Sequence, residues 1–171
     1  GDGDAKRSSA FRITLEDAYA LLREAEARLE LEKDDPVTAV KRLIRFSWDY
    51  YIDNPEFITL VNSENLHKAR HIKTSARMRE MNRPFVGRMR SLLERGAKAK
   101  LFRPDLDPVQ IHITIAAIGY HYLTNRFTGS IVYERDLMSK AALRERLTFN
   151  IETILRVICT PKVIAKMEAG P

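Results

Sequence analysis

The stretch from Asp107 to Thr128, DPVQIHITIAAIGYHYLTNRFT, limits the possible folds more than any other part of the chain. Asp107 reads as an N-cap acceptor and Pro108 as the first helical residue, where no backbone donor is needed. Gly119 is the only breaker in the run that follows. Ile111, Ile115, Ile118 and Tyr122 make one stripe at helical spacing, and His112, Ala116, Gly119 and Leu123 make a second. A helix apolar on two faces lies at the centre of a helical domain or between the domain and a partner. The small residues Ala116, Ala117 and Gly119 let another helix approach closely. Gln110, His112, His121, Asn125 and Arg126 argue against a membrane span. The segment is expected to be a core helix that also faces a second subunit.

The rest of the chain agrees with an all-α domain. At 171 residues it is long enough to bury one core, and seven Gly and seven Pro are few for a turn-rich β protein. Cys159 is the sole cysteine, so no internal disulfide forms and a reducing, cytoplasmic setting is expected. No charged start leads into an apolar run, as a signal peptide would. The opening GDGDAKRSS is polar and lacks Met, so residues 1–12 are expected to be a flexible lead or added residues on a fragment.

Helix starts recur along the chain. Thr14 with Asp17 resembles a capping box, followed by Leu15, Ala18, Tyr19, Leu22, Ala25 and Leu29 at helical spacing. Glu16, Arg23, Glu24, Arg28 and Glu30 form its solvated face, and the helix should end near Leu31. Asp35-Pro36 starts a second helix with Val37, Val40, Ile44, Trp48 and Tyr51 inward. Asn54-Pro55 ends that helix and starts a third. Its inward stripe, Phe57, Leu60 and Val61, continues into Glu64, His67 or Lys68, and His71, so polar groups replace apolar ones on a core face. Ser75 caps a short helix through Met81. Arg83-Pro84 reopens a longer one with Phe85, Met89, Leu92 and Leu93 inward. Residues 129–138 read as a loop, and Ser139 caps a last helix that Pro161 stops, leaving 161–171 as a loose tail. The expectation is a single orthogonal or antiparallel helical domain over 13–160 with about six or seven helices.

The net charge of +6 hides a segregation: residues 14–64 carry 6 Lys/Arg against 12 Asp/Glu, whereas residues 65–103 carry 12 Lys/Arg against Glu80 and Glu94 alone. A basic segment serves a nucleic acid or anionic partner, or is a solvated helix face. Segment 65–103 lacks interleaved exposed aromatics, which weakens the nucleic-acid reading.

On a continuous helix Glu64, His67 and His71 would share one face and make a weak alternative site for a divalent metal. No H-E-x-x-H order, Gly-rich phosphate loop, G-x-S-x-G elbow or Cys-x-x-Cys pair is present. No catalytic residue and no cofactor are therefore expected, and the chain reads as a non-enzyme. The aromatics Trp48, Tyr50, Tyr51, Phe57, Phe85, Tyr120 and Tyr122 come from four helices and either fill the core or wall an apolar pocket.

The pattern as a whole resembles the C-terminal domain of tetracycline-repressor-like transcriptional regulators. The residues that carry the resemblance are WDYYIDNPEFITLVNSENLHKARH, MREMNRPFVGRMRSLLERGAKAKLFRPDLDPVQIHITIAAIGYHYLTNRF and the last amphipathic helix. Gly96, Phe102-Arg103-Pro104 and Asp107-Pro108 stand where that family has a "G...G.FRP.DP" phrase leading into its first dimer helix. The resemblance covers residues 14–160. It implies a homodimer, an isologous pairing of helices 108–128 and 140–159 with their symmetry mates. The interface residues would be Ile115, Gly119, Tyr122, Leu123, Leu147, Ile151 and Ile154. It also implies a small-molecule effector cavity lined by Trp48, Tyr51, Leu60, Glu64 and His67, with His71, Phe85, Met89, Ile118 and Tyr122. Operator DNA would be bound only through an N-terminal helix-turn-helix, and no segment before Thr14 resembles one. Effector binding would shift dimer geometry and so control DNA binding in the full-length parent.

Overall fold

Side-chain caps fix most helix starts where the sequence places them. In the computed structural model, which describes residues 13–171, the Asp17 amide donates to Thr14 Oγ1 (3.1 Å) and opens α1, Leu15–Ala27. The Thr38 amide donates to Asp35 Oδ1 (3.1 Å) at the start of α2, Pro36–Asp53. Helix α3 is Pro55–Leu66; its N-cap Asn54 makes no capping bond, and the Asn54 amide group instead donates to the Tyr50 carbonyl. Ser75 caps α4, Ala76–Lys98, and Asp107 caps α5, Pro108–Thr124. A short α6, Arg126–Val132, follows, then α7, Lys140–Ile158, capped by Ser139, and α8, Pro161–Ala169. Each cap satisfies a first-turn N–H that has no partner inside the helix.

The fold is all-α: among the described residues the only β feature is one isolated bridge between Phe102 and Cys159. Among the described residues, eight helices and a 3₁₀ turn, Leu31–Lys33, exceed the expected six or seven. The surplus has physical causes. Helix α1 stops at Ala27, and Glu30 enters the left-handed region (φ 51°) before the 3₁₀ turn. Residues 129–132 of the expected loop belong to α6, which separates from α5 at Asn125, and Pro161, read as a stop, instead occupies the first turn of α8. Val163 and Ile164 of α8 pack against the core, so the segment expected to be loose is docked. Pro84 does not divide α4. An interior proline costs about 3 kcal/mol, and the burial of Phe85 and Met89 just beyond it offsets that cost. The expected lead 1–12 lies outside the described residues.

Helices α2 and α5 cross at the centre, each touching α4 and α7 as well. Two apolar clusters result. One joins Val40, Leu43 and Ile44 of α2 to Phe85, Met89 and Leu92 of α4, Ile111 and Ile115 of α5, and Ile154 and Ile158 of α7. The other joins Ala18 and Leu22 of α1 to Trp48, Tyr51, Phe57 and Leu123. Gly96 lets Phe102 seat against α4, since a Cβ there would lie 1.9 Å from the Phe102 ring. The connector is then tied to the end of α7 by the Arg103 amide donating to the Ile158 carbonyl (2.8 Å) and the Thr160 amide donating to Leu101 (2.9 Å).

Helix α5 buries one stripe, Ile111, Ile115, Gly119 and Leu123, against its own chain. Five of the residues expected at a subunit interface, Ile115, Gly119, Leu123, Ile151 and Ile154, are buried within the protomer, and Leu147 packs partly buried on both clusters. Gly119 faces Trp48 and Tyr51 of α2. Both apolar stripes read from the sequence contribute to the buried face of α5, since Ile111 and Ile115 come from one and Gly119 and Leu123 from the other.

Candidate effector cleft

The ten residues expected to line one cavity are divided by the structure. Trp48, Tyr51 and Tyr122 interlock in the second core cluster, with Trp48 and Tyr122 ring centres 5.6 Å apart and Tyr51 stacked on Phe57 at 5.9 Å. Ile118 packs against the first cluster. Leu60, Glu64 and His71 line a shallow cavity of about 430 Å³ beside Thr14 and Leu15, and Tyr122 edges a third space near α6. Phe85 and Met89 remain together on a cleft between α1 and α4.

His67 joins none of these. Helix α3 ends at Leu66, and Lys68 and Ala69 turn through the left-handed region (φ 55° and 57°), so His67 and His71 do not share a helical face. His67 Nδ1 contacts the Ser63 carbonyl (2.8 Å) at an exposed turn. Glu64 serves the turn itself: its carboxylate accepts from the His71 amide (2.8 Å), the Ile72 amide (3.3 Å) and the His71 ring (2.8 Å). Burial opposes its ionisation, but the hydrogen bonds from His71 and Ile72 prevail and hold its carboxyl below the ordinary range. Among the described residues no three metal-capable side chains converge, so the Glu64, His67 and His71 metal set is not assembled.

The α1–α4 cleft is larger than the cavity beside Thr14. It encloses about 610 Å³ and is walled by Leu31, Pro84, Phe85, Met89 and Leu92, with Glu26, Glu32, Arg88, Ser91 and Arg95 as its polar residues. That is the form of a small-molecule pocket, apolar with a few convergent polar atoms. At its inner end lies a polar cluster. Arg23 Nη1 donates to both oxygens of Glu26 (2.7 and 2.9 Å), and Arg23 Nε donates to Asn82 Oδ1 (2.8 Å). The Arg23 and Glu26 side chains are 11% and 5% exposed, so this is a buried pair. Burial pushes the Glu26 carboxyl up, and the Arg23 and Arg88 charges oppose the shift. The Phe85 ring takes the Arg23 guanidinium at 4.0 Å and the edge of His112 at 4.5 Å. Desolvation, aided by the Arg23 charge, lowers the His112 pKa to about 4, so the imidazole is neutral at pH 7.

Arg23, assigned to the solvated face of α1 from sequence, is thus the centre of the cluster. Glu26 and Asn82 were not singled out either. The available signal was the i,i+3 spacing of Arg23 and Glu26 on α1, which alone cannot distinguish a surface pair from a buried one. The α1–α4 seam is reinforced outside the cleft: Ser75 Oγ donates to Glu16 (2.5 Å), and Arg77 donates to Asp17 (3.0 Å). Several cations of the basic segment 65–103 are spent in this way, including Arg95, which donates to the Leu31 and Asp34 carbonyls. Among the described residues no helix is long and apolar enough to cross a membrane.

The described residues form an all-α domain with two crossed central helices and an apolar cleft under α1. The chain belongs to the tetracyclin repressor-like family: the family model described as "Tetracyclin repressor-like, C-terminal domain" matches residues 36–154. It is 37% identical over 150 residues to the HTH-type transcriptional repressor NicS of Pseudomonas putida, an alignment covering 88% of this chain and 71% of that protein.

Proposed function

We propose that this domain senses a small molecule in the α1–α4 cleft and forms a homodimer through the exposed faces of α5 and α7. In a full-length cytoplasmic repressor, like the relative whose name describes an HTH-type repressor, ligand occupancy would set the spacing of DNA-reading heads joined ahead of α1. The observation that carries this reading is the position of Glu26. It belongs to α1, is paired to Arg23, and lies in the wall of the cleft whose other side is Phe85, Arg88 and Met89 of α4. A ligand that touches both helices favours one orientation of α1 over another, and that differential affinity is what shifts the equilibrium. Of the effector residues expected from sequence, Phe85 and Met89 are retained in this site.

The dimer face is proposed from surface that the protomer leaves uncovered. Val109 (45% exposed) and Ile113 (53%) on α5, and Phe149 (58%) and Val157 (38%) on α7, are large apolar side chains on two neighbouring helices. Exposed apolar patches of this kind mark association surfaces.

Native mass spectrometry of the purified domain tests both parts. A twofold mass that dissociates into single chains plus a small organic mass, with that organic mass lost in Met89→Trp, is the expected result. A monomer that carries no small molecule and binds none from a metabolite library overturns the reading.

A further inference from the structure

A cavity of about 750 Å³ lies elsewhere, where the end of α5, α6 and the first half of α7 meet. Its walls include the rings of Tyr122, Tyr133 and Phe149, and its charged groups are Arg135, Arg146, Asp136 and Glu145. Arg146 is the unusual member. Its guanidinium lies 5.7 Å from the Tyr122 ring centre and 5.2 Å from that of Phe149, so aromatic faces hold it in place. No ion pair among the described residues includes it. Its Nε is shut off from solvent and has no hydrogen-bond partner; Asn150 Oδ1, one turn further along α7, is the other such atom among the described residues. Native interiors seldom leave a buried donor unpaired, least of all on a charged group.

We propose that this cleft is a second small-molecule site, separate from the α1–α4 cleft, that takes an organic monoanion: a carboxylate held by Arg146 with an apolar, flat body against Tyr133 and Phe149. Three features select this class. The guanidinium fork matches a carboxylate in two parallel hydrogen bonds. The aromatic walls suit an apolar body rather than a sugar or a bare inorganic ion. The formal charges of Arg135 and Arg146 cancel those of Asp136 and Glu145, so a monoanion leaves an excess of one negative charge in the cleft and a dianion an excess of two, which favours the monoanion. Phe149 belongs to both this cleft and the exposed face of α7, so the cleft opens at the edge of the proposed dimer surface.

Isothermal titration of the folded domain with 3-phenylpropionate, and with its neutral amide, tests the site. The expected result is saturable binding of the acid, with the amide at least about tenfold weaker, as for loss of a charge-assisted hydrogen bond. Arg146→Met should weaken the acid at least about tenfold, and Arg146→Lys should recover only part, since ammonium lacks the fork. Tyr133→Ala alters an exposed ring (66% exposed) without touching the core, and should weaken binding in a domain whose urea midpoint is unchanged. Equal binding of acid and amide, or loss of binding in Arg88→Met but not in Arg146→Met, overturns the proposal by moving the ligand elsewhere. A dimer dissociated by Arg146→Met, with no acid binding to the wild type, assigns Arg146 to the subunit interface and also overturns it.

Discussion

Arg23 stands over the ring of Phe85 at 4.0 Å, joining a cation on α1 to an aromatic wall on α4. The same guanidinium neutralises Glu26 and fixes Asn82, so one side chain ties the seam between the two helices to the cleft beside it.

Removing one half of that pair leaves the other charge buried. Arg23→Met should lower stability by about 3–5 kcal/mol, whereas the double variant Arg23→Met with Glu26→Met should return to within about 1–2 kcal/mol of wild type. Urea denaturation of the four members of the cycle measures the coupling. Equal losses in the single and double variants would show that the pair is solvated.

His112 gives the domain an acid sensitivity of defined sign. Its folded pKa of about 4 lies below the ordinary 6.5, so the unfolded chain takes up a proton first as pH falls through that interval. Stability from this group is undiminished above pH 6.5 and declines by about 1.4 kcal/mol per unit towards pH 4. Between pH 7 and 5 the wild type should lose about 2 kcal/mol more than His112→Gln does. Glu26 also titrates upward of its ordinary value, but it is common to both proteins and cancels in the difference. Parallel urea midpoints at the two pH values would refute the assignment.

Two glycines of α4 should respond oppositely to alanine. At Gly96 a Cβ would lie 1.9 Å from the Phe102 ring, which is 1% exposed and cannot withdraw without unseating the connector. Gly96→Ala should cost about 1–3 kcal/mol or more. Nothing lies within 4 Å of a Cβ at Gly87, so Gly87→Ala should gain about 0.5–1 kcal/mol of helix stability. Thermal melts of the pair check both signs.

The two faces of α5 should separate folding from association. Ile115 is 3% exposed, and Ile115→Ala should lose about 2–5 kcal/mol of folding stability while leaving subunit stoichiometry intact. Ile113 is 53% exposed, and Ile113→Glu should leave the fold intact and shift sedimentation equilibrium towards single chains. A monomeric Ile115→Ala that retains its fold would return the interface to the face first expected from sequence.

Local chemistry was legible in the chain: Thr14, Asp35, Ser75, Asp107 and Ser139 cap where they were read, because a cap needs only a short polar side chain and an N–H two or three residues on. The all-α class followed from these starts and from the apolar spacing between them. Pro84 and Pro161 were misread, since whether a proline interrupts, starts or sits within a helix depends on what buries the turns beside it. The end of α3 was missed for a related reason: nothing short-range announces that Lys68 and Ala69 turn left-handed, a turn held by its own backbone hydrogen bonds and by the Glu64 carboxylate gathering the amides of His71 and Ile72.

What the sequence determined by itself is therefore the helical class, the cap positions and the family. What the tertiary structure alone decided is which apolar residues of α5 face inward and which polar residues are interior. Periodicity shows that a helix has an apolar face, and α5 has two; the interior took Ile111 and Ile115 from one and Gly119 and Leu123 from the other, with Trp48 and Tyr51 closing on Gly119. Arg23 and Glu26 carry the same letters as a surface pair. Contact of Arg23 with Phe85 and Asn82, partners some sixty residues away in the chain, buries the pair and leaves Glu26 in the wall of a cleft.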